Sequence, residues 1–159
     1  MPPAPLNPTT RYLAVGIRKV YWVPTVANKN SPTRAELNAG TDLTAEIATM
    51  TGWSLQGSVL DTPDMGTTFT SQVPGRRTSP TNDITFYLSQ NSNDVRTLLP
   101  ANTSGFVAVL WEGDVTGQKM DNFPARVVTQ ANDPNPENSG QTTISFAITS
   151  LPAIAIAIP

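Results

Sequence analysis

A mainly β fold, a sandwich or barrel of about eight strands with one flanking α-helix and extended arms at both ends, is what this sequence predicts. Three observations carry that prediction. Apolar residues alternate with other residues at Ile84, Phe86 and Leu88, at Ile144, Phe146 and Ile148, and at Ile154, Ile156 and Ile158. A period of two places each set on one face of an extended strand. The intervening stretches are rich in turn residues, as in Asp61-Thr-Pro-Asp64 and Pro74–Asn82. Only Asn91–Leu99 reads as a helix of more than one turn.

Taken in order, residues 1–12 form an extended N-terminal arm, with four prolines and no charge in the first ten. Ile17–Val23 is the first strand. Ser31-Pro32 opens a helical turn through Asn38, with Ser as cap, Pro at the first helical position and Gly40 as the stop. Asp42–Ile47, Trp53–Leu60 and Thr67–Val73 are strands, followed by the strand of Ile84, Phe86 and Leu88. In the helix Asn91–Leu99, Ser92 or Asn93 is the cap and Asp94 lies in the first turn. Its apolar face is Val95, Leu98 and Leu99, and Pro100 ends it. Gly105–Glu112, Phe123–Thr129 and Gln141–Thr149 complete the strands, and residues 151–159 form a C-terminal arm or edge strand. The whole, 1–159, fits one domain with a sizeable core.

Charged residues reach only 14% and the net charge is −2, against a usual charged fraction of about 25%. Thr, Ser and Asn fill the difference, which suits a protein that buries much of its surface in contacts. No cluster of Lys and Arg marks a nucleic-acid grip. There is no Cys and no His, so serine and cysteine triads and imidazole or thiolate zinc sites are ruled out. No cofactor and no metal site is expected. The opening residues lack a basic n-region followed by an apolar core, so no secretory signal is expected. The longest apolar runs, Phe106–Trp111 and Leu151–Ile158, are far short of the ~18–20 residues of a membrane span.

Carboxylate pairs are the one catalytic constellation left. Asp61 and Asp64 flank a Thr-Pro turn, and Glu112 and Asp114 sit around a glycine beside Trp111. Two carboxylates at a set separation hydrolyse glycosides. The plainer reading is that Asp61 and Asp64 order their own turn and that Glu112-Gly-Asp114 is a hairpin turn. Arg76 and Arg77 stand on a loop that lacks the Gly-rich run and Lys of a phosphate cradle; intersubunit or surface ion pairs are the preferred reading. Calcium at Asp61/Asp64 or Asp114/Asp121 lacks the dense Asp/Asn spacing of known loops.

The tail is more informative. No residue from Ile144 to Pro159 carries a charge, whereas exposed edge strands are usually guarded by Lys, Pro or bulges. Ile154, Ile156 and Ile158 therefore either fold back on the chain's own sheet or pack on a neighbour. The second reading predicts that replacing all three with Ser or Asp leaves a folded monomer and abolishes assembly.

Ser31–Thr44 (SPTRAELNAGTDLT) resembles the segment near the start of many actinobacteriophage major tail proteins, which form the tail tube. Further stretches resemble the same family in the same order. They are Gly52–Asp64, Val73–Arg76, Ile84–Tyr87 with Asn93–Pro100, and Phe123–Val127 through Phe146–Thr149. The resemblance implies a structural virion protein made in the host cytoplasm, not an enzyme. It implies a β-sandwich with one helix, assembled as hexameric rings that stack into a hollow tube conducting DNA. Arms and long loops would lock ring to ring, with a tape-measure protein, a tail terminator and distal tail proteins as partners. Subunit-contact candidates are Ile154, Ile156, Ile158, Arg76, Arg77, Asp61 and Asp64. The competing readings are a tube subunit of a contractile tail, tailocin or injection system, and an all-β binding or capsid-decoration module.

Overall fold

Beyond an extended arm, Gly16 (φ 78°) turns the chain, and β1 (Lys19–Val23) starts two residues later than the alternation from Ile17 predicts. The computed structural model describes residues 3–92, 94–135 and 137–159. Helix α1 (Arg34–Asn38) is capped by Thr33 rather than Ser31. Thr33 Oγ1 accepts from the Glu36 amide while the Glu36 carboxylate accepts from the Thr33 amide, a reciprocal capping box.

The predicted strand Asp42–Ile47 is broken in two. Asp42 ends the two-residue β2 (Thr41–Asp42), because its carboxylate accepts from the Thr44 amide at 2.9 Å and turns the chain into a 3-10 turn, Thr44–Glu46. β3 (Ile47–Gly52) then pairs with a strand later in the chain. Gly52 (φ 85°) and Trp53 (φ 54°) re-aim the backbone, so β4 (Gln56–Thr62) begins three residues after Trp53. A side chain at Gly52 would collide with the Thr81 carbonyl. β5 (Ser71–Thr78) replaces the predicted strand Thr67–Val73, and Pro74, Arg76 and Arg77 lie on it rather than on a loop. Proline is tolerated because β5 has only one neighbour and Pro74 sits beside a register shift.

β6 (Asn82–Tyr87) is followed by α2 (Val95–Leu98), a single turn instead of the predicted nine-residue helix. Asp94 is its cap. Ser92 has φ 59° and stays outside the helix, and Asn93 lies outside the described residues. β7 (Ser104–Leu110), the long β8 (Lys119–Asn132), β9 (Gln141–Ile148) and β10 (Ala153–Ala157) complete ten strands among the described residues.

Eight strands form one antiparallel sheet in the order β2-β1-β7-β8-β9-β6-β3, with β10 also on β8. Strand β8 makes this possible. Its first half pairs with β7 and β10, and from Ala125 onward it pairs with β9 across a register shift at Val127/Thr129. The sheet curls on itself: Trp22 of β1 lies 6.1 Å from Phe146 of β9, although β7 and β8 stand between those strands. Trp53 closes the inside, edge-on to Phe123 at 5.4 Å and to Phe146 at 5.3 Å.

Both faces of the central strands are covered. Val107 and Val109 point into the main core, while Ala108 and Leu110 point to a second cluster with Val23, Leu37, Met120 and Ile158. That explains why Phe106–Leu110 is continuously apolar rather than alternating. Strands β4 and β5 form a separate two-stranded ribbon that belongs to neither core.

Candidate assembly surfaces

The β4–β5 ribbon is exposed at every described position except Gly75. The register pairs Leu60 with Val73 and Thr62 with Ser71 on one face, and Val59 with Pro74 and Asp61 with Gln72 on the other. Each face thus carries an apolar pair, and neither face is covered. At the tip Met65 is fully exposed and Phe69 is 75% exposed. Both are costly to leave in water, at roughly 1.5–3 kcal/mol per large apolar side chain.

Asp61 and Asp64 belong to this ribbon but do not form a site together. Asp61 accepts from Gln72 Nε2 across the strands at 2.7 Å. Asp64 accepts from the Gly66 amide at 2.8 Å, ordering the tip turn. Arg76 and Arg77 stand at the ribbon's root, exposed, and among the described residues neither forms an ion pair.

The tail folds back on its own chain. Strand β10 pairs with β8 through a register shift between Ala153 and Ile156, and Ala155 takes φ 55°. That bulge breaks the period of two, so the three isoleucines do not share a face as the alternation predicts. Ile158 is 1% exposed in the chain's own core, Ile156 packs partly against it, and Ile154 alone is 45% exposed. Backbone bonds Gly117 N to Ile158 O and Ile158 N to Gln118 O, both 2.8 Å, pin the end. Asp121 holds the bulge by accepting from the Ala155 amide at 2.7 Å and from Trp111 Nε1 at 2.8 Å.

Trp111 also anchors the N-terminal arm. Tyr12 Oη donates to its carbonyl at 3.3 Å, and the Arg18 guanidinium lies 4.5 Å above its ring. Leu6, Leu13 and Val15 of the arm stay exposed.

The acidic pairs do not converge on a reacting centre. Asp114 is held by a bidentate Arg34 guanidinium, with Nη2 to Oδ2 at 2.8 Å, and by Tyr21 Oη at 3.0 Å. The Arg34 hydrogen bonds lower the Asp114 pKa below the usual carboxylate range. Burial, then the hydrogen bond to Asp114, pushes the Tyr21 hydroxyl up to about 12. Glu112 accepts from the Lys119 amide. Asp114 and Asp121 therefore spend their oxygens on different partners, and no group of three acidic residues is placed to hold a metal ion among the described residues. No described helix is long and apolar enough to cross a membrane.

A groove the sequence does not announce opens between the 3-10 turn and α2. It has a volume of about 520 Å³, a floor of Leu43, Val95 and Leu98, and a rim carrying Asp42, Glu46 and Asp94. No Lys or Arg lines it.

The fold is similar to a chain in the cryo-EM structure of the anti-feeding prophage (AFP) baseplate, with TM-score 0.59 and 10% identity. The overlap covers 89% of this chain and 94% of that one. An overlap with the Hcp1 protein from the E. coli EAEC 042 pathovar is looser, with TM-score 0.39 and 8% identity over 83% of this chain and 86% of that one. A comparison with curated proteins gives no match. The family model described as phage tail tube protein matches residues 5–159, nearly the whole chain, and the chain belongs to that structural, non-enzymatic family.

Proposed function

We propose that this subunit polymerises as stacked hexameric rings into the hollow tube of a non-contractile phage tail, through which viral DNA passes at ejection. The observation that carries the reading is the β4–β5 ribbon, which has an apolar pair on each face and is covered on neither. An isolated two-stranded ribbon is marginal in water, and in a tube of identical copies neighbours cover it. Six subunits per ring accord with the AFP baseplate, which was six-fold symmetrised and contains a chain of this fold. The net charge of −2 suits a bore that DNA must traverse without sticking. A tape-measure protein, a tail terminator and distal tail proteins would meet the tube in its bore and at its ends. Ile154, Arg76, Arg77, Asp61 and Asp64 remain contact candidates because their side chains are free of the core.

Negative-stain electron microscopy of the purified protein at high concentration, with light scattering, tests this. Tubes or stacked rings of uniform width are expected. The double variant Leu60→Asp/Val73→Asp should melt like the parent and stay monomeric. Normal tubes from that variant would remove the ribbon from the assembly contact.

A further inference from the structure

Strand β10 is an edge: among the described residues it pairs with β8 alone, and no side chain from Ile144 to Pro159 is charged. The fold guards this edge with a bulge. Ala153 stands opposite Asn122 and Ile156 opposite Met120, so Ile154 and Ala155 together face the single residue Asp121. The extra residue turns the strand over. Before it Ala153 is buried and Ile154 exposed; after it Ile156 is half-buried and Ile158 buried. A straight strand continuing from Ala153 would instead turn Ile154, Ile156 and Ile158 to one outer face.

The bulge is held against local preference. Ala155 takes φ 55°, a left-handed conformation that is unfavourable for a residue with a Cβ. Beside it, Asn122 Oδ1 is buried with no hydrogen-bond partner among the described residues. Two things oppose straightening: the burial of Ile158, and the Asp121 carboxylate, whose Oδ1 accepts from the Ala155 amide. The second oxygen, Oδ2, accepts from Trp111 Nε1, so the indole fixes the carboxylate's orientation. Trp111 is in turn held by the N-terminal arm, through the Arg18 guanidinium over its ring and Tyr12 Oη on its carbonyl. A continuous chain of contacts therefore runs from the arm through Trp111 and Asp121 to the bulge.

We infer that this chain is a latch: with the arm seated on Trp111, Asp121 keeps β10 bulged and its isoleucines in their own core, and when the arm leaves, β10 straightens and offers Ile154, Ile156 and Ile158 as one face to a second copy. That the partner is a second copy rests on the self-assembly reading. Leu6, Leu13 and Val15 of the arm are exposed, and a neighbour that covers them draws the arm from Trp111. The two arrangements of β10 differ by one residue of register, so the change is discrete rather than gradual. Until the arm is engaged elsewhere, free subunits are kept from joining through this edge.

Amide hydrogen exchange read by NMR on the monomeric subunit, with light scattering for association, tests the latch. Asp121→Asn keeps the side chain's shape but leaves one acceptor oxygen for two N–H donors. Arg18→Ala removes the arm's cation at an exposed position that does not touch β10. Each should speed exchange of the Ala155 and Ile158 amides by more than ~10-fold, while Val107 and Val109 of β7 keep their parental rates. Each should also lower the concentration at which copies associate by a similar factor, about 10-fold. Ala155→Gly, free to adopt φ 55°, should shift both quantities the opposite way. Opposed shifts of this kind support the latch. Unchanged β10 exchange in Arg18→Ala, or exchange that rises equally in β7, overturns it. So does faster β10 exchange with association at the parental concentration, and in each of these cases parent tubes leave the self-assembly reading standing. A parent that stays monomeric at every concentration overturns that reading and the latch's role with it.

Discussion

A methyl group at Gly105 would lie 2.5 Å from Cζ2 of Trp22, against the back of the largest buried side chain. The absence of a Cβ there lets the indole of β1 pack directly against β7. Gly105→Ala should cost about 1–3 kcal/mol through overpacking, seen as a fall in melting temperature of ~2–4 °C per kcal/mol for a domain of this size. Asp94 is the residue to watch in acid. Its carboxylate, 4% exposed, accepts from the Arg96 guanidinium and from the Arg96 and Ser89 amides. The Arg96 hydrogen bond is the main reason its pKa falls to about 2. A depressed folded-state pKa means stability that is present above the unfolded value and lost as pH falls toward 2. Asp94→Asn should therefore flatten the loss of stability between about pH 4 and pH 2 in denaturant titrations across that range. The sequence shows an acidic residue near a helix start. That it is the cap, rather than Ser92, depends on how the preceding loop is held.

At the scale of elements, β10 and the ribbon divide the roles that the sequence assigns to the tail. Because Ile158 is buried in its own chain and Ile154 is not, the two should behave differently. Ile158→Ala should destabilise the monomer by ~2–4 kcal/mol, whereas Ile154→Ser should leave it within about 0.5 kcal/mol of the parent. Equal effects from the two would contradict the bulge at Ala155. The expectation that all three isoleucines can be made polar in a folded monomer fails for this reason. The ribbon is the converse case. Gln56 and Thr78 face each other at its root, so joining them through Asn-Gly should close a tight hairpin. That deletion should leave the melting temperature nearly unchanged and abolish assembly in light scattering. The alternation of Ile84/Phe86 and Ile144/Phe146 is legible because those residues face one core. The Asp42–Ile47 break is not, since a side-chain hydrogen bond to Thr44 outweighs the strand pattern.

For the whole molecule, the useful facts are the curl of the sheet and the ribbon that stands outside both cores. The curl buries the central strands on both faces and leaves the N-terminal arm and the ribbon exposed. The fold is similar to that of a chain in the anti-feeding prophage (AFP) baseplate. The proposed function predicts tube growth without a sheath partner, and the length distribution in micrographs measures it.

Strand content, the exclusion of chemistry based on Cys or His and the tail-tube likeness were all determined by the sequence itself. Each rests on local spacing or on residue types present or missing, such as Ile144/Phe146/Ile148 or the lack of Cys and His. Which apolar residues are left uncovered was decided only by the tertiary structure. Leu60 and Val73 are apolar strand residues as Ile84 and Phe86 are, yet the first pair stands in solvent and the second is buried. The difference lies in whether distant strands arrive to cover them. Likewise Ile158 turns inward because Ala155 breaks the period against Asp121, a residue 34 positions away. Periodicity specifies which residues share a face, but long-range packing specifies what that face meets.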